Sequence, residues 1–326
     1  MPSADSITAV IPLHNQAQLL ARLLQSIRAQ SIPFDEVIVV DNASTDGAPE
    51  IARKAGCRVI ALTANTGFAH AVNTGWQAAN TRWVAILNSD VELDPGWVEH
   101  LLNAAGPSAF ATGTILQASD TDSIDGTYDL LSRAGCAWRA GFGQSVHRLQ
   151  AATAPIAIAP ATACIFRRHA LEELEGFDER YGSYLEDVDL GLRCIRLGLQ
   201  GIYVPRAIAT HKGSATLGRW NPKVVRLISR NQLLLIARHY DGPLFRACLW
   251  NIIAGQLLWG LVAARHGALL AWAGGKLEAL RQFDLQEQAS PALRSFLDSS
   301  EREIRLRATD SYWRWYFRLT SSGEAN

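Results

Sequence analysis

The sequence has no excess of charge of either sign: 31 Lys and Arg stand against 31 Asp and Glu. A nucleic-acid partner normally leaves a basic excess, so none is expected here. The cysteines (57, 136, 164, 194 and 248) are odd in number and widely spaced, and none forms a C-x-x-C pair. That speaks against a disulfide framework or a zinc cage and for free thiols in a reducing compartment. There is no long apolar run near the start. Asp5 precedes Ile7–Ile11, too brief for the core of a secretion signal, so a cytoplasmic location is expected. Internal repeats and low-complexity tracts are absent. So is any G-x-G-x-x-G after the first strand-like run, which removes a dinucleotide-binding oxidoreductase. A nucleotidyltransferase would want a Gly-rich, basic loop there, and Pro12-Leu13-His14-Asn15 stands in its place.

What is present is alternation. Ile7–Ile11, Glu36–Val40, Arg58–Leu62 and Trp83–Leu87 read as buried strands. Asn15–Gln30, Ala48–Ala55, Phe68–Asn80 and Asp94–Ala105 read as helices, the last with Pro95 in its first turn. Such order predicts an α/β fold: a mostly parallel sheet with right-handed crossovers and helices on its faces. Ser119–Ala152 reads as a loop-rich stretch holding Asp120, Asp122 and Asp125, an insertion or an acceptor-side loop. Pro155–Arg167 reads as extended, Asp187–Leu199 as a helix and Gly201–Val204 as a short strand. With 326 residues and 48% hydrophobic content, the chain suffices for one large domain and an appended segment. The expected division is 1–240 for the α/β domain and 241–326 for a helical extension.

Ligands of such sheets bind beyond the carboxyl ends of the strands, so the residues there carry the chemistry. Asp41 can accept hydrogen bonds from a base or a ribose hydroxyl, or can close an Asx turn with the following Asp46-Gly47. Asn65-Thr66-Gly67 opens a helix whose N-terminus suits a diphosphate, or is a plain cap. Asn88-Ser89-Asp90 places a carboxylate where Mg²⁺ or Mn²⁺ would bind together with phosphates, or is a solvated turn. Glu186-Asp187-Val188-Asp189 packs three carboxylates between Tyr181, Tyr184 and apolar Leu190, Leu192 and Ile195. One of them can take a proton from an attacking hydroxyl; acids capping a first turn are the alternative. His211 is the best metal-ligating histidine, or a structural one.

Taken together, A-V-I-P-L-H-N at 9–15, V-I-V-V-D-N-A-S-T-D-G at 37–47, N-T-G-F-A-H-A-V-N-T-G at 65–75, L-N-S-D-V at 87–91, G-F-D-E-R-Y at 176–181 and Y-L-E-D-V-D-L-G-L-R at 184–193 resemble family 2 glycosyltransferases of the GT-A fold. The order and spacing resemble the bacterial rhamnosyltransferase-like branch over about residues 6–240. The resemblance implies an inverting transfer of a sugar, such as rhamnose, from a dTDP- or UDP-sugar to a hydroxyl of a glycan or lipid-linked acceptor. The alternative is a nucleotide-sugar-binding protein that kept the fold without transferase activity. It implies that Pro12, His14, Asn15, Asp41, Asn65, Gly67, Asn88, Ser89 and Asp90 line the donor site. Asp90 would be the last acid of the family's D-x-D motif, holding a divalent metal (Mn²⁺ or Mg²⁺) with His211. Asp187, beside Glu186, would be the general base. The sequence departs from the family in Asn88, which replaces the first acid of D-x-D. It departs again in His14, where many relatives carry tyrosine, so an imidazole would stack on the base.

Ala247–Ala264 carries no formal charge and lies between Arg246 and Arg265. As a helix it spans roughly 27 Å, the lower edge of a bilayer core. Asn251, Gln256, Gly255 and Gly260 weigh against a lipid-buried span. Trp250, Trp259 and Trp272, and the run Tyr312-Trp313-Arg314-Trp315-Tyr316-Phe317-Arg318, suit a membrane interface. Peripheral membrane contact at the inner face, a soluble packing or dimer surface, and a true span are the three readings.

Overall fold

The computed structural model describes residues 3, 5–148, 152–213, 220–285 and 291–320. Its contacts divide the chain into two compact units: Met1–Tyr128 with Gly141–Thr216, and Asp129–Ala140 with Leu217–Asn326.

The first unit is built on a ten-stranded sheet. Its opening half alternates β1 (Ile7–Leu13), α1 (Ala17–Arg28), β2 (Glu36–Asp41), α2 (Ala48–Lys54), β3 (Arg58–Ala61), α3 (Phe68–Ala78) and β4 (Trp83–Leu87). These four strands are parallel, in the order β3-β2-β1-β4. Every residue of β4 is buried, as a strand covered on both faces requires. α1 buries Leu20, Leu23, Leu24 and Ile27, a single stripe at helical spacing. Each such side chain contributes about 1.5–3 kcal/mol relative to exposure.

The chain then becomes mixed. β5 (Val91–Leu93), α4 (Trp97–Ala105), β6 (Phe110–Gln117) and β7 (Asp120–Gly126) come next. In the same unit follow β10 (Ala154–Ile156), β11 (Ala163–Arg167), α5 (Arg168–Glu173), α6 (Glu186–Leu197) and β12 (Gly201–His211); β8 (Asp129–Leu131) and β9 (Ala137–Arg139) belong to the second unit. β11 runs antiparallel between β4 and β6, while β6 and β12 are parallel to each other. The α/β fold is therefore present, with its parallel half at the N-terminus.

Three expectations shift in detail. α4 begins at Trp97, and Pro95 lies in the turn before it, closed by the Trp97 amide on the Asp94 carbonyl. The strand expected at 201–204 runs on to His211. It absorbs Pro205, which cannot donate to a ladder, in an irregularity between Tyr203 and Ile208. The stretch expected as a loop from Ser119 contains β7, β8 and β9, and its residues 149–151 lie outside the described ones.

The second unit holds the hairpin of β8 (Asp129–Leu131) and β9 (Ala137–Arg139). With it are the helices α7 (Pro222–His239), α8 (Gly242–Arg265), α9 (Leu269–Leu280), α10 (Pro291–Arg307) and α11 (Ser311–Thr320). α8 presses Gly255 against the hairpin, where an added Cβ would stand 2.4 Å from that of Ala134. Gln256 donates to the Ala134 carbonyl at 2.7 Å, and Tyr312 of α11 donates to the Gly255 carbonyl at 3.1 Å. One face of α8 is thus fixed by small residues and buried amides.

Candidate active site

A line of hydrogen bonds crosses the carboxyl edge of the parallel strands. At its β3 end, Asn42 donates to the Gly67 carbonyl at 3.0 Å and accepts from the Thr66 amide at 2.8 Å. The Asn42 carbonyl is 2.9 Å from His14 Nδ1, and a carbonyl only accepts, so Nδ1 donates there. Asn15 accepts from the Thr45 amide through its side chain, and its own amide donates to Ser44 Oγ, both at 2.8 Å. At the β4 end, Ser89 donates to Gln16 Oε1 at 2.6 Å. His14, Asn15, Asn65, Gly67, Asn88, Ser89 and Asp90 therefore stand on one edge, after β1, β3 and β4. Pro12 lies within β1 beside Val40, and Asp41 ends β2.

The backbone along this edge is strained. Among the described residues, non-glycine positions with positive φ are Asn15, Gln16, Ala43, Tyr184, Leu185 and Glu175. All but Glu175 lie in loops that carry the expected site residues. Conformations of this kind cost about 1–3 kcal/mol each and persist where surrounding bonds enforce them.

Asp41 is buried, and its Oδ1 accepts the Ser44 amide at 2.9 Å, so the Asx turn is formed. The turn fixes the carboxylate at the mouth of the edge. Asn65 caps the Gly67 amide at 3.1 Å. The first amides of α3 already have partners: Phe68 donates to Ser183 Oγ at 3.2 Å and Ala69 to the Gly182 carbonyl at 3.0 Å. Gly67 is required there, because its φ is 94° and a Cβ would stand 2.9 Å from the Gly182 oxygen.

The loop that closes α3 leads directly into α6 and its acids, which the structure separates. Asp189 is fully buried and pairs with Arg193 Nε at 2.8 Å. Glu186 is buried as well. Asp187 alone of the three is half-buried. Its Oδ1 accepts the Val188 amide at 2.9 Å, and its Oδ2 accepts the Ala161 amide at 3.1 Å. The next carbonyl, Thr162, accepts the Asn88 amide at 2.9 Å. Residues 161–162, entering β11, thus hold Asp187 on one side and the Asn88-Ser89-Asp90 turn on the other. Burial first, and then the Asp187 charge, push the Cys164 thiol well above its usual range.

Asp90 meets His211. The β5–β12 ladder sets Val91 opposite His211. His211 Nε2 lies 3.3 Å from Asp90 Oδ1, and Nδ1 lies 2.8 Å from Asp125 Oδ2. Burial works against the charged imidazole, but the hydrogen bonds and charges of Asp125 and Asp90 outweigh it and push it up to about 9. Two donors held at right angles about 2.1 Å from one octahedral ion stand about 3 Å apart. The Asp90–His211 separation fits that, with oxygen and imidazole donors acceptable to Mn²⁺. Among the described residues no three His, Cys, Asp or Glu side chains form a ready cage. The rest of such a shell would be phosphate oxygens and water.

Sequence reasoning gave no site role to Gln16, Asn42, Ala161 or Thr162, and it saw Asp125 only as one acid of the 119–152 stretch. Asn42 had a signal, standing next to Asp41 at a strand end. The others act through backbone groups or distant pairing, and those roles leave none.

The profile of glycosyl transferase family 2 matches residues 8–175. An N-acetylglucosaminyl-diphospho-decaprenol L-rhamnosyltransferase of Mycobacterium tuberculosis is 30% identical over 281 residues, 78% of this chain and 91% of that one. Among solved structures, a mannosyltransferase from Pyrobaculum calidifontis in complex with GDP-Man and Mn²⁺ aligns with a TM-score of 0.52 at 20% identity. That alignment covers 98% of this chain and 86% of that one. GalNAc-T7 with UDP, GalNAc and Mn²⁺ aligns with a TM-score of 0.62 at 12% identity, covering 92% of this chain and 58% of that one. Both share the GT-A fold with this protein. The motifs, the sheet and the match across more than half its length agree: the chain belongs to glycosyl transferase family 2, in its rhamnosyltransferase-like part.

Proposed function

We propose that this glycosyltransferase is an inverting, metal-dependent enzyme acting on the cytoplasmic side of the cell membrane. It moves a sugar, rhamnose in the leading reading, from a dTDP- or UDP-sugar to a hydroxyl of a lipid-linked glycan. Catalysis is assigned to residues 1–240 and membrane contact to residues 241–326. The observation that carries the reading is the 161–162 segment, which ties Asp187 and the Asn88-Ser89-Asp90 turn to adjacent backbone groups. The rhamnosyl relative is named for an acceptor on a decaprenol diphosphate, which supports the lipid-linked acceptor. Five free cysteines support a reducing compartment.

The mechanism follows from the edge. Asp41, His14 and Asn15 hold the nucleoside, within the frame set by Asn42, Asn65 and Gly67. Asp90 and His211 would hold the divalent ion, which when bound supplies charge to stabilise the leaving nucleoside diphosphate. Asp187 accepts the proton of the acceptor hydroxyl as that oxygen bonds to the anomeric carbon. The bond to the diphosphate oxygen breaks on the opposite face, so one base suffices and the configuration inverts. Two backbone amides fix the Asp187 carboxylate; Asp189 pairs with Arg193 one turn further along the same helix, and Arg193 ties that helix to the Leu174 carbonyl.

On α8, Leu249, Trp250, Ile253, Leu257 and Leu261 are exposed along one face, and on α9 so are Leu269, Leu270, Leu277 and Leu280. No acid occurs between Asp241 and Glu278, and Arg246 and Arg265 flank the uncharged stretch 247–264 within α8. α8 is long and apolar enough to cross a membrane by composition, but 39% of its most apolar window is buried within the protein. This supports an interfacial helix on anionic lipid.

The first experiment is donor binding and transfer across a panel of dTDP- and UDP-sugars with Mn²⁺, Mg²⁺ or EDTA. One donor should bind and react with Mn²⁺, with EDTA and Asp90→Ala each abolishing the signal. Equal transfer in EDTA would overturn metal dependence, and no transfer from any bound donor would favour a non-catalytic binding protein.

A further inference from the structure

Asp125 reads in the sequence as part of an acid-rich loop. In the structure it lies in β7, where the ladder to β6 loses step. Leu116 pairs with Ile124 and Ile115 with Gly126, which leaves Asp125 as the extra residue between them. A bulge of this kind turns one side chain off the alternating pleat, and bulges recur beside active sites. This one brings Asp125 Oδ2 to 2.8 Å from His211 Nδ1. Across the same ring, Nε2 faces Asp90 Oδ1 at 3.3 Å. Neighbouring ladders fix the row, since His211 pairs with Val91 of β5 and with Gln117 of β6. The side chains of Asp90, His211 and Asp125 are only 10%, 11% and 14% exposed.

We infer that Asp125 is the positioning residue of the metal centre. It holds the Nδ1 proton of His211 and aims the Nε2 lone pair at an ion shared with Asp90. The inference rests on reading Asp90 and His211 as the protein's ligands. An ion at Nε2 displaces the proton that the ion-free ring carries there, and the neutral imidazole left has one N–H and one lone pair, with a carboxylate on Nδ1 keeping the proton there. It also fixes the plane of the ring and makes Nε2 a more basic donor. Arg or Lys at position 125 would reverse the tautomer logic; a carboxylate suits it. The bulge explains why a residue 86 positions from His211 in the chain reaches it.

The test is Mn²⁺ alone, titrated into the whole protein and followed by electron paramagnetic resonance. It is run for the wild type, Asp125→Ala, Asp125→Asn, His211→Ala and Asp90→Ala, with thermal melts of each. Asp125→Ala is expected to weaken Mn²⁺ binding about 10–100-fold. Asp125→Asn should weaken it less, because its amide oxygen still accepts from Nδ1. The electron-spin-echo coupling of Mn²⁺ to an imidazole nitrogen, present in the wild type, should fade in Asp125→Ala. Losses in His211→Ala and Asp90→Ala with unchanged affinity in both Asp125 variants would overturn the role of Asp125 and leave the ligands standing. Unchanged affinity in His211→Ala and Asp90→Ala would remove the ligand assignment itself. Equal losses in the Asn and Ala variants, tracking equal losses of melting temperature, would reduce Asp125 to a structural support of the bulge.

Discussion

At the carboxyl edge of the sheet unit, what reaches the surface is polar and tightly held; on α8 and α9 of the helical unit, it is apolar and open. His14, Asn15 and Ser89 each have a partner on a neighbouring loop, and the strained residues Asn15, Gln16 and Ala43 lie on those loops. Leu257, Leu261, Leu270 and Leu280 are more than half exposed. A preorganised polar edge suits a small, charged, directional ligand, whose recognition needs fixed donors. An open apolar face suits a partner that is large, fluid and undemanding of geometry. One charge in each unit makes a similar contrast, although buried Asp129, Asp241 and Glu301 of the helical unit are ion-paired too. In the sheet unit Asp189 meets the guanidinium of Arg193. In the helical unit the Lys276 ammonium sits among neutral oxygens of Ser229, Gln232 and Gln256.

The largest effect should separate the acids of α6, which the sequence presents as equals. Asp187→Asn is expected to lower kcat by about 10²–10⁴-fold, the usual contribution of a general base, with little change in melting temperature. Asp189→Ala strands Arg193 in a buried site and should cost about 3–5 kcal/mol of stability. Steady-state kinetics and urea unfolding of both variants decide it. Near-normal turnover in Asp187→Asn, or a catalytic loss in Asp189→Ala at undiminished stability, would collapse the distinction.

That distinction shows where the sequence was legible. The strands of the parallel half are continuous apolar runs, so their ends, and the motifs attached to them, could be placed from the residues alone. Trp83–Leu87 matches to the residue, and Asp41 and Asp90 follow from it and its neighbour strands. The antiparallel half gave weaker signals. Pro205 and Arg206 interrupt β12, which hid the fact that His211 ends a strand already aligned with Val91. Asp125 was visible only as one acid of the 119–152 stretch; its pairing with His211 was not, because a bulge is a property of two strands in register, and one strand's sequence does not record it. The acids of α6 were visible as a cluster, but which of them is buried depends on residues 161–162 and on Arg193.

A smaller effect would test the apolar face. Wild-type protein should float with vesicles containing anionic lipid. Leu257→Glu with Leu261→Glu should cut the bound fraction about tenfold or more, since each swap removes buried apolar area and adds repulsion from the surface. Melting temperature should hold, because both side chains face solvent. A wild type left wholly in the soluble fraction would end the membrane reading. Dimer dissociation in the variant, seen by light scattering, would instead assign the face to a second copy.

The smallest effect concerns Lys276, and its sign follows from the folded state. Burial lowers its ammonium from 10.5 to about 7. Between those values the unfolded chain binds the proton and the folded chain does not, so stability rises with pH across that window. The slope is at most about 1.4 kcal/mol per pH unit, and it vanishes below pH 7, where both states are charged. Lys276→Met should remove this slope while losing the bonds to Ser229 and Gln232, so the variant's absolute stability is no guide. The informative quantity is the difference between wild type and variant, measured by urea unfolding at pH 7, 8 and 9. A difference that shifts toward the wild type with rising pH means that burial governs this lysine. A constant difference means that the surrounding oxygens hold the proton against burial, and that neutral dipoles do for Lys276 what Asp189 does for Arg193.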